Sequence, residues 1–245
     1  MSNLPLSGQA ILITGAARRL GRSMALTVAG SGANVLIHFN NSLKDAESLA
    51  NEIQDTGQQA WLLQADISKE HGLKRLCEDA FAITPVNALI NNASIFHPGS
   101  FLETSETTWQ NHLQINLTTP FHLSQMFARK IGNESKGTII NLLDWRALRP
   151  GNDHFAYTIS KAALAAMTQS LALSLAPKIS VNAIALGAIL PPENEPIDST
   201  ILEKVPLKRW AELSELNSLL LYLLKRPLSL TGQVIHLDGG RHLVK

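Results

Sequence analysis

The sequence predicts an α/β protein built on a doubly wound parallel sheet with helices on both faces. Three observations predict it. Strand-like and helix-like segments alternate roughly every 20–30 residues, as βαβ units require. The strand candidates are near-continuous apolar runs, the pattern of strands covered on both faces. The first of them ends in a glycine turn, Gly15 to Gly21, that opens directly into a helix.

Residues 9–14 (QAILIT) form a short apolar run. A run of that length suits strand or helix, and the turn signal at Gly15 favours a buried strand. The turn GAARRLG leads a helix to about Ala29, ended by Gly30 and Gly32. Residues 34–39 (NVLIHF) make a second strand, and 43–56 a second helix closed by Gly57. A third strand at 59–64 precedes Asp66 and a helix at 69–82. Residues 88–91 (ALIN) are the fourth strand, 109–130 a long helix and 137–143 (GTIINLL) the fifth strand. An almost wholly apolar helix at 155–175 leads to a strand at 180–185 (SVNAIA). Residues 188–206 are irregular and proline-rich, longer than an ordinary connection. They read as a variable surface loop or as a lid over a substrate; the lid is favoured, because loops of that length are often functional. A helix at 211–224 and a last strand at 233–237 precede Asp238-Gly239-Gly240.

A chain of 245 residues, 45% hydrophobic and 17% charged, fits one globular domain over 1–245. A net charge of +1 gives no electrostatic footprint for nucleic acid or an anionic membrane. The single cysteine, Cys77, excludes an internal disulfide framework and fits a reducing compartment. The first residues are polar, and the apolar run at 219–224 is far too short to span a bilayer, so a cytoplasmic location is expected. None of the eight histidines has a persuasive metal-ligand spacing, and no metal is expected.

The chemistry concentrates between residues 137 and 164. Tyr157 and Lys161, four apart on a helix, share a face. Free tyrosine titrates near ~10 and free lysine near ~10.4. An ammonium close to the phenol is expected to lower the tyrosine's pKa and make it a usable general acid. Asp144, closing the preceding strand, could join them or could simply cap a turn. At the other end, Gly15 and Gly21 suit close approach of a pyrophosphate to a helix N-terminus, although glycines in a tight turn can serve the turn alone. After the second strand, His38, Phe39, Asn40, Asn41 and Ser42 offer no acid to hold the ribose hydroxyls of NAD. Arg18 and Arg19 add positive charge nearby, unless they are merely solvated. Missing acid with added base favours NADPH as cofactor.

Thr14-Gly15 with Gly21, Asn91-Asn92-Ala93, Asn116, Tyr157-x-x-x-Lys161 and Asp238-Gly239-Gly240 together resemble the short-chain dehydrogenase/reductases, over nearly the whole chain. The resemblance implies a Rossmann-like, seven-stranded parallel sheet, a nicotinamide cofactor and commonly a homotetramer. It implies that Asp66 and Ile67 contact the adenine and that Asn91 and Ala93 line the cofactor groove, with Leu20 and Gly187 completing it. Asn116 would hold a water feeding a proton relay to Lys161, and Lys161 would bond the nicotinamide ribose.

Arg19 stands where that family usually has a middle glycine, and Asp144 where it usually has a catalytic serine. Both replacements resemble the pteridine reductases. So does the segment from Asn91 to Phe96, in which a phenylalanine stacks on the pterin ring. The chain's last residues look closest to the bacterial dihydromonapterin reductases. The resemblance makes Arg19, Ser94, Phe96, Asp144 and Tyr157 substrate-binding; a plain core role for Phe96 is less attractive beside the loop residues His97-Pro98-Gly99. Asn41, in place of a basic residue, leaves Arg18 to make the phosphate contact, and Leu186-Gly187 departs from the usual Pro-Gly. An ionised carboxylate repels the oxyanion of carbonyl reduction, where a serine would stabilise it. Reduction of a ring carbon–nitrogen double bond leaves no such oxyanion. The expected activity is therefore NADPH-dependent reduction of a small-molecule dihydropterin, or dihydrofolate, to the tetrahydro form. The alternatives are a general carbonyl or alcohol oxidoreductase and a non-catalytic NADP(H)-binding protein. Trp145 and Trp210 read as packing residues and His154 as a solvated loop histidine.

Overall fold

A computed structural model describes residues 4–132, 135–190 and 200–244. Seven strands pair entirely in parallel: β1 (Ala10–Ile13), β2 (Asn34–Phe39), β3 (Ala60–Gln64), β4 (Ala88–Asn91), β5 (Gly137–Asp144), β6 (Ile179–Leu186) and β7 (Val234–Leu237). Their order across the sheet is β3-β2-β1-β4-β5-β6-β7. The chain thus builds one half outward from β1, returns to β4 on its other side, and builds the second half away from it. This is the expected doubly wound sheet, Rossmann-like, with every strand within two residues of its sequence reading.

Alternation along the strands sends apolar side chains to both faces. Ile11, Ile13, Val35 and Ile37 pack under α1 (Arg19–Gly30), α2 (Leu43–Asp55) and α8 (Leu213–Leu224). Ala10, Leu12 and Leu36 face α3 (Glu70–Ile83), α5 (Thr119–Lys130) and the end of α6 (Phe155–Leu175). Each buried leucine or isoleucine contributes about 1.5–3 kcal/mol relative to exposure. The continuous apolar runs are what pay for helices on both sides.

Two departures from the sequence reading concern the site. The helix expected over 109–130 is two helices, α4 (Glu106–Leu113) and α5, joined by a π-turn at Gln114–Thr118. Pro120 explains the break: it has no N–H for the carbonyl of Asn116, four residues back. Residues 188–206 are not wholly irregular, because Thr200–Glu203 form one helical turn, α7. The centre of the expected lid, 191–199, lies outside the described residues.

The sheet also carries buried polarity. Asn91 Nδ2 donates to Asn141 Oδ1 at 2.8 Å, and Asn141 Nδ2 donates to Thr168 Oγ1 at 2.9 Å, a chain from β4 through β5 to α6. At the β1–α1 turn, Gly21 has no room for a side chain: a Cβ there would lie 2.1 Å from the carbonyl oxygen of Gly15. Gly30, by contrast, has nothing within 4 Å of an added Cβ. Gly21→Ala is therefore expected to lose roughly 1–3 kcal/mol by overpacking against backbone, a fall of several degrees in melting temperature. Gly30→Ala should leave the melting temperature unchanged or slightly higher; thermal denaturation of the two variants checks this.

Candidate active site

The strand ends open a cleft of about 490 Å³. Its first wall is the β1–α1 turn. Thr14 Oγ1 accepts the N–H groups of Asn92 (2.9 Å) and Ala93 (3.0 Å), and Asn92 Nδ2 donates to the carbonyls of Thr14 and Gly15. Gly15 has φ +62 and sits against Ala93, whose Cα would lie 3.2 Å from a Cβ at this position. Arg19 also has a positive φ, 52°, which costs a non-glycine residue about 1–2 kcal/mol. The backbone keeps a shape that suits glycine while the side chain adds a cation. Among the described residues no side chain caps helix α1, and its first turn carries no acidic residue. Arg19, Leu20 and Gly21, its first residues, line the cleft with Gly15 and Arg18, so its uncapped N-terminus is suited to an anion. Arg18 Nε lies 3.7 Å from Asp45 Oδ2 in an exposed pair. An acid therefore does stand near the end of β2, but it belongs to α2 and faces an arginine.

The opposite wall comes from β5 and α6. Asp144 ends β5, and its Oδ1 accepts the N–H of Arg146 at 2.8 Å, capping the short 3₁₀ turn Trp145–Ala147. The capping role foreseen as an alternative is thus real, and the same carboxylate also faces the Tyr157 phenol. Burial pushes the Asp144 carboxyl above its ordinary range, opposed by Arg146, Lys161 and Tyr157. Tyr157 is buried, and its pKa is raised well above 10 by burial and then by the Asp144 charge. This corrects the expectation that lysine would lower it. Lys161 Nζ is 5.8 Å from the Tyr157 ring centroid and donates instead to the carbonyl of Leu142 at 2.8 Å. Burial brings Lys161 itself down to about 8, against the pull of Asp144. Tyr157 therefore holds its proton at neutral pH as a donor.

The mouth of the cleft is aromatic. Phe96 is 50% exposed; its ring stacks on His154 with centroids 4.0 Å apart and meets Tyr157 edge-on at 4.6 Å. The Arg146 guanidinium lies 5.6 Å from the Phe96 centroid and 4.7 Å from that of Trp145, while its Nη2 reaches Asp153 at 3.0 Å. His154, expected to be solvated, is instead stacked on Phe96, with its side chain 16% exposed. Arg146, which nothing in the sequence marked, connects Asp144, Phe96 and Asp153.

Residues 9–201 match the family model described as short chain dehydrogenase. The chain belongs to the short-chain dehydrogenase family. Among solved structures, it resembles FolM alternative dihydrofolate reductase 1 from Brucella canis, complexed with NADP, at 36% identity and a TM-score of 0.91, covering 98% of this chain and 96% of that one. A blue fluorescent protein from a metagenomic library, in complex with NADPH, aligns at 26% identity and a TM-score of 0.89, covering 97% and 99%. Among curated relatives, the 3-oxoacyl-[acyl-carrier-protein] reductase FabG of Staphylococcus epidermidis is 29% identical over 95% of this chain and 98% of its own length.

In this short-chain dehydrogenase the cleft gathers the expected Gly15, Arg18, Arg19, Leu20, Gly21 and Ala93 on one side, and Ser94, Phe96, Asp144, Tyr157, Lys161 and Gly187 on the other. Gly187 is held tightly, since a Cβ there would lie 2.7 Å from Asp238 Cα. Ser94 Oγ donates to Asn116 Oδ1 at 3.1 Å. Other expected residues do not line this cleft. Asn116 is buried, and its side chain is committed to Ser94, Ile95 and Ser160, clamping the segment after β4 to α6. Asn91 points into the sheet, toward Asn141. Phe39 and Ile67 are core residues, and the Ile67 carbonyl accepts from Thr119 Oγ1. Asp66 Oδ1 accepts from the N–H and hydroxyl of Ser68, the bond that holds its pKa down. Asn40, Asn41 and Ser42 follow β2 and do not line this cleft.

His38 has partners of its own within the fold. Its side chain is buried: Nδ1 accepts the Gly15 N–H at 3.1 Å, leaving Nε2–H to donate to the Ala65 carbonyl at 3.1 Å. Burial lowers its pKa to about 4, partly countered by the Ala65 bond. The unfolded chain takes up this proton near pH 6.5 and the folded chain only near 4, so stability falls as the pH drops through that window. Between pH 6.5 and 5 the expected loss is roughly 1.5 kcal/mol. Urea unfolding of wild type and His38→Gln checks this: the wild type should lose stability over that range, and the variant should lack this part of the slope.

Proposed function

We propose that this short-chain dehydrogenase is an NADPH-dependent reductase of dihydropterins, with dihydromonapterin, dihydrobiopterin and dihydrofolate as its substrate class. The observation that carries the reading is the Asp144 carboxylate facing the Tyr157 phenol at the end of β5. An ionised group there disfavours an oxyanion but is compatible with protonation of a ring nitrogen. Supporting it are the half-exposed Phe96 beside Tyr157 and the NADP-bound FolM alternative dihydrofolate reductase among the structural neighbours. Stacking on such a ring contributes about 0.5–1.5 kcal/mol beyond burial of area.

The uncapped N-terminus of α1, the glycine turn and Arg18 and Arg19 fit a phosphorylated dinucleotide. The exposed Arg18–Asp45 pair is itself worth no more than about 1 kcal/mol. When bound, NADPH would supply the hydride for the ring carbon of the C=N bond. Tyr157 gives its proton to the ring nitrogen, and Asp144 orients the phenol. Lys161, anchored on the Leu142 carbonyl, holds the nicotinamide ribose. We also read the chain as one domain with 188–206 as its lid, and as a cytoplasmic homotetramer.

The second reading is carbonyl reduction, favoured by the FabG relatives. NADPH oxidation with dihydromonapterin, dihydrobiopterin and dihydrofolate, set against a panel of ketones, decides between the two. Pterin turnover should exceed ketone turnover, and the reverse overturns the proposal. Tyr157→Phe is expected to lose roughly 10²–10⁴-fold in kcat, and Asp144→Ala to lose most pterin turnover; undiminished turnover in Asp144→Ala refutes its role. KM should be lower for NADPH than for NADH, and a clear NADH preference would sink the cofactor assignment.

A further inference from the structure

A second cavity of about 270 Å³ lies at the carboxyl end of β7, lined by His236, Asp238 and His242. Each of the three offers one ligand atom, and these atoms lie within 4.8 Å of one another. Histidines that lacked a persuasive spacing in the sequence are thus brought together by the fold. Strand alternation puts residues 236 and 238 on one face. The turn at Gly239 and Gly240, both with positive φ, and the 3₁₀ turn Arg241–Leu243 bring His242 back over them.

The two imidazoles stack with centroids 3.7 Å apart. The Asp238 side chain is 2% exposed; its Oδ2 lies 2.8 Å from His242 Nδ1 and 3.8 Å from His236 Nδ1. Asp238 also caps the turn, accepting the N–H groups of Gly240 and His242. That capping accounts for Asp238 and His242 but not for His236, whose Nδ1 is buried with no hydrogen-bond partner among the described residues.

We propose that His236, Asp238 and His242 form a binding site for a divalent transition metal of zinc's class. Ligand atoms about 2.05 Å from a tetrahedral zinc are about 3.4 Å apart. The 2.8 and 3.8 Å separations bracket that value, and because the rings stack nearly parallel, one imidazole must turn out of the stack to bring the ion into the plane of both. Two imidazoles with one carboxylate favour zinc, nickel or copper over magnesium or calcium, which prefer all-oxygen sets. Glu215, also on the cavity wall, is not a fourth ligand, because Arg209 takes both its oxygens at 2.6 and 2.8 Å. Water from the cavity completes the coordination shell. Binding displaces the hydrogen-bonding proton shared by Asp238 and His242. The ion would fix the turn carrying Arg241, whose guanidinium stacks 4.1 Å from the Trp145 ring centroid, next to Asp144.

The test is calorimetric titration of the tag-free full-length protein with zinc sulfate, with magnesium chloride as the comparison. One zinc per chain and no magnesium uptake are expected. His236→Gln and His242→Gln should each weaken zinc binding by more than the roughly 10–100-fold that loss of an outer-shell partner costs, while His97→Gln should not. Circular dichroism establishes that the variants fold. Should they not, cobalt(II) titration of the wild type decides: intense visible d–d bands of a four- or five-coordinate ion support the site, and their absence overturns it. No zinc uptake by the wild type, or uptake unchanged in both folded variants, also overturns it.

Discussion

Thr14 Oγ1 accepts two backbone N–H groups from the end of β4, and the geometry of the whole mouth follows from those two bonds. β1 and β4 are neighbours in the sheet but belong to its two halves, and the segments leaving them diverge. Such a switch point opens a crevice beyond the strand ends. Without a tie, its two lips would move independently. Thr14 joins them, Asn92 reinforces the joint, and His38 holds the Gly15 amide from below. Each bond contributes only about 1 kcal/mol net, but a buried donor left without its acceptor costs about 1–3 kcal/mol. The turn is therefore constrained from several directions at once, which also lets Arg19 stay in a left-handed conformation.

Across the cleft the constraint is electrostatic. Asp144, Tyr157 and Lys161 are all withdrawn from water, and burial disfavours the charged form of each. Asp144 and Lys161 each favour the other's charged form, while Asp144 disfavours ionisation of Tyr157. Groups coupled this way titrate as a set. Arg146 stabilises the set from the rim while also packing on Trp145 and near Phe96, so charge balance and the shape of the mouth share a residue.

The strands were legible because uninterrupted aliphatic runs have few other uses in a chain of this composition. Tyr157 and Lys161 were legible because a four-residue spacing on a helix is a local property. Arg146 and His154 were not, since their contacts depend on how the loop after β5 folds back over Phe96. The partners of His38 were not legible for a related reason. Its position at the end of β2 pointed to the cofactor, but its two ring nitrogens find Gly15 and Ala65, and no local pattern reports such partners. The π-turn before α5 had a visible cause in Pro120, whereas the clamping role of Asn116 depends on Ile95 and Ser160, far away in sequence.

The Asn91–Asn141–Thr168 chain has a consequence for how the strands find one another. Neighbouring aliphatic strands in a parallel sheet can slide by two residues and still present the same faces, so hydrophobic burial discriminates poorly between such alignments. In β4 and β5 a slip by two would put Ile90 opposite Leu142 in place of Ile140, a near-equivalent aliphatic partner. Asn91 opposite Asn141 would not: it would face Ile139 or Leu143 and leave buried amides without partners, at about 1–3 kcal/mol each. The buried amide pair thus acts as an alignment key, rejecting shifted pairings that greasy strands alone would tolerate.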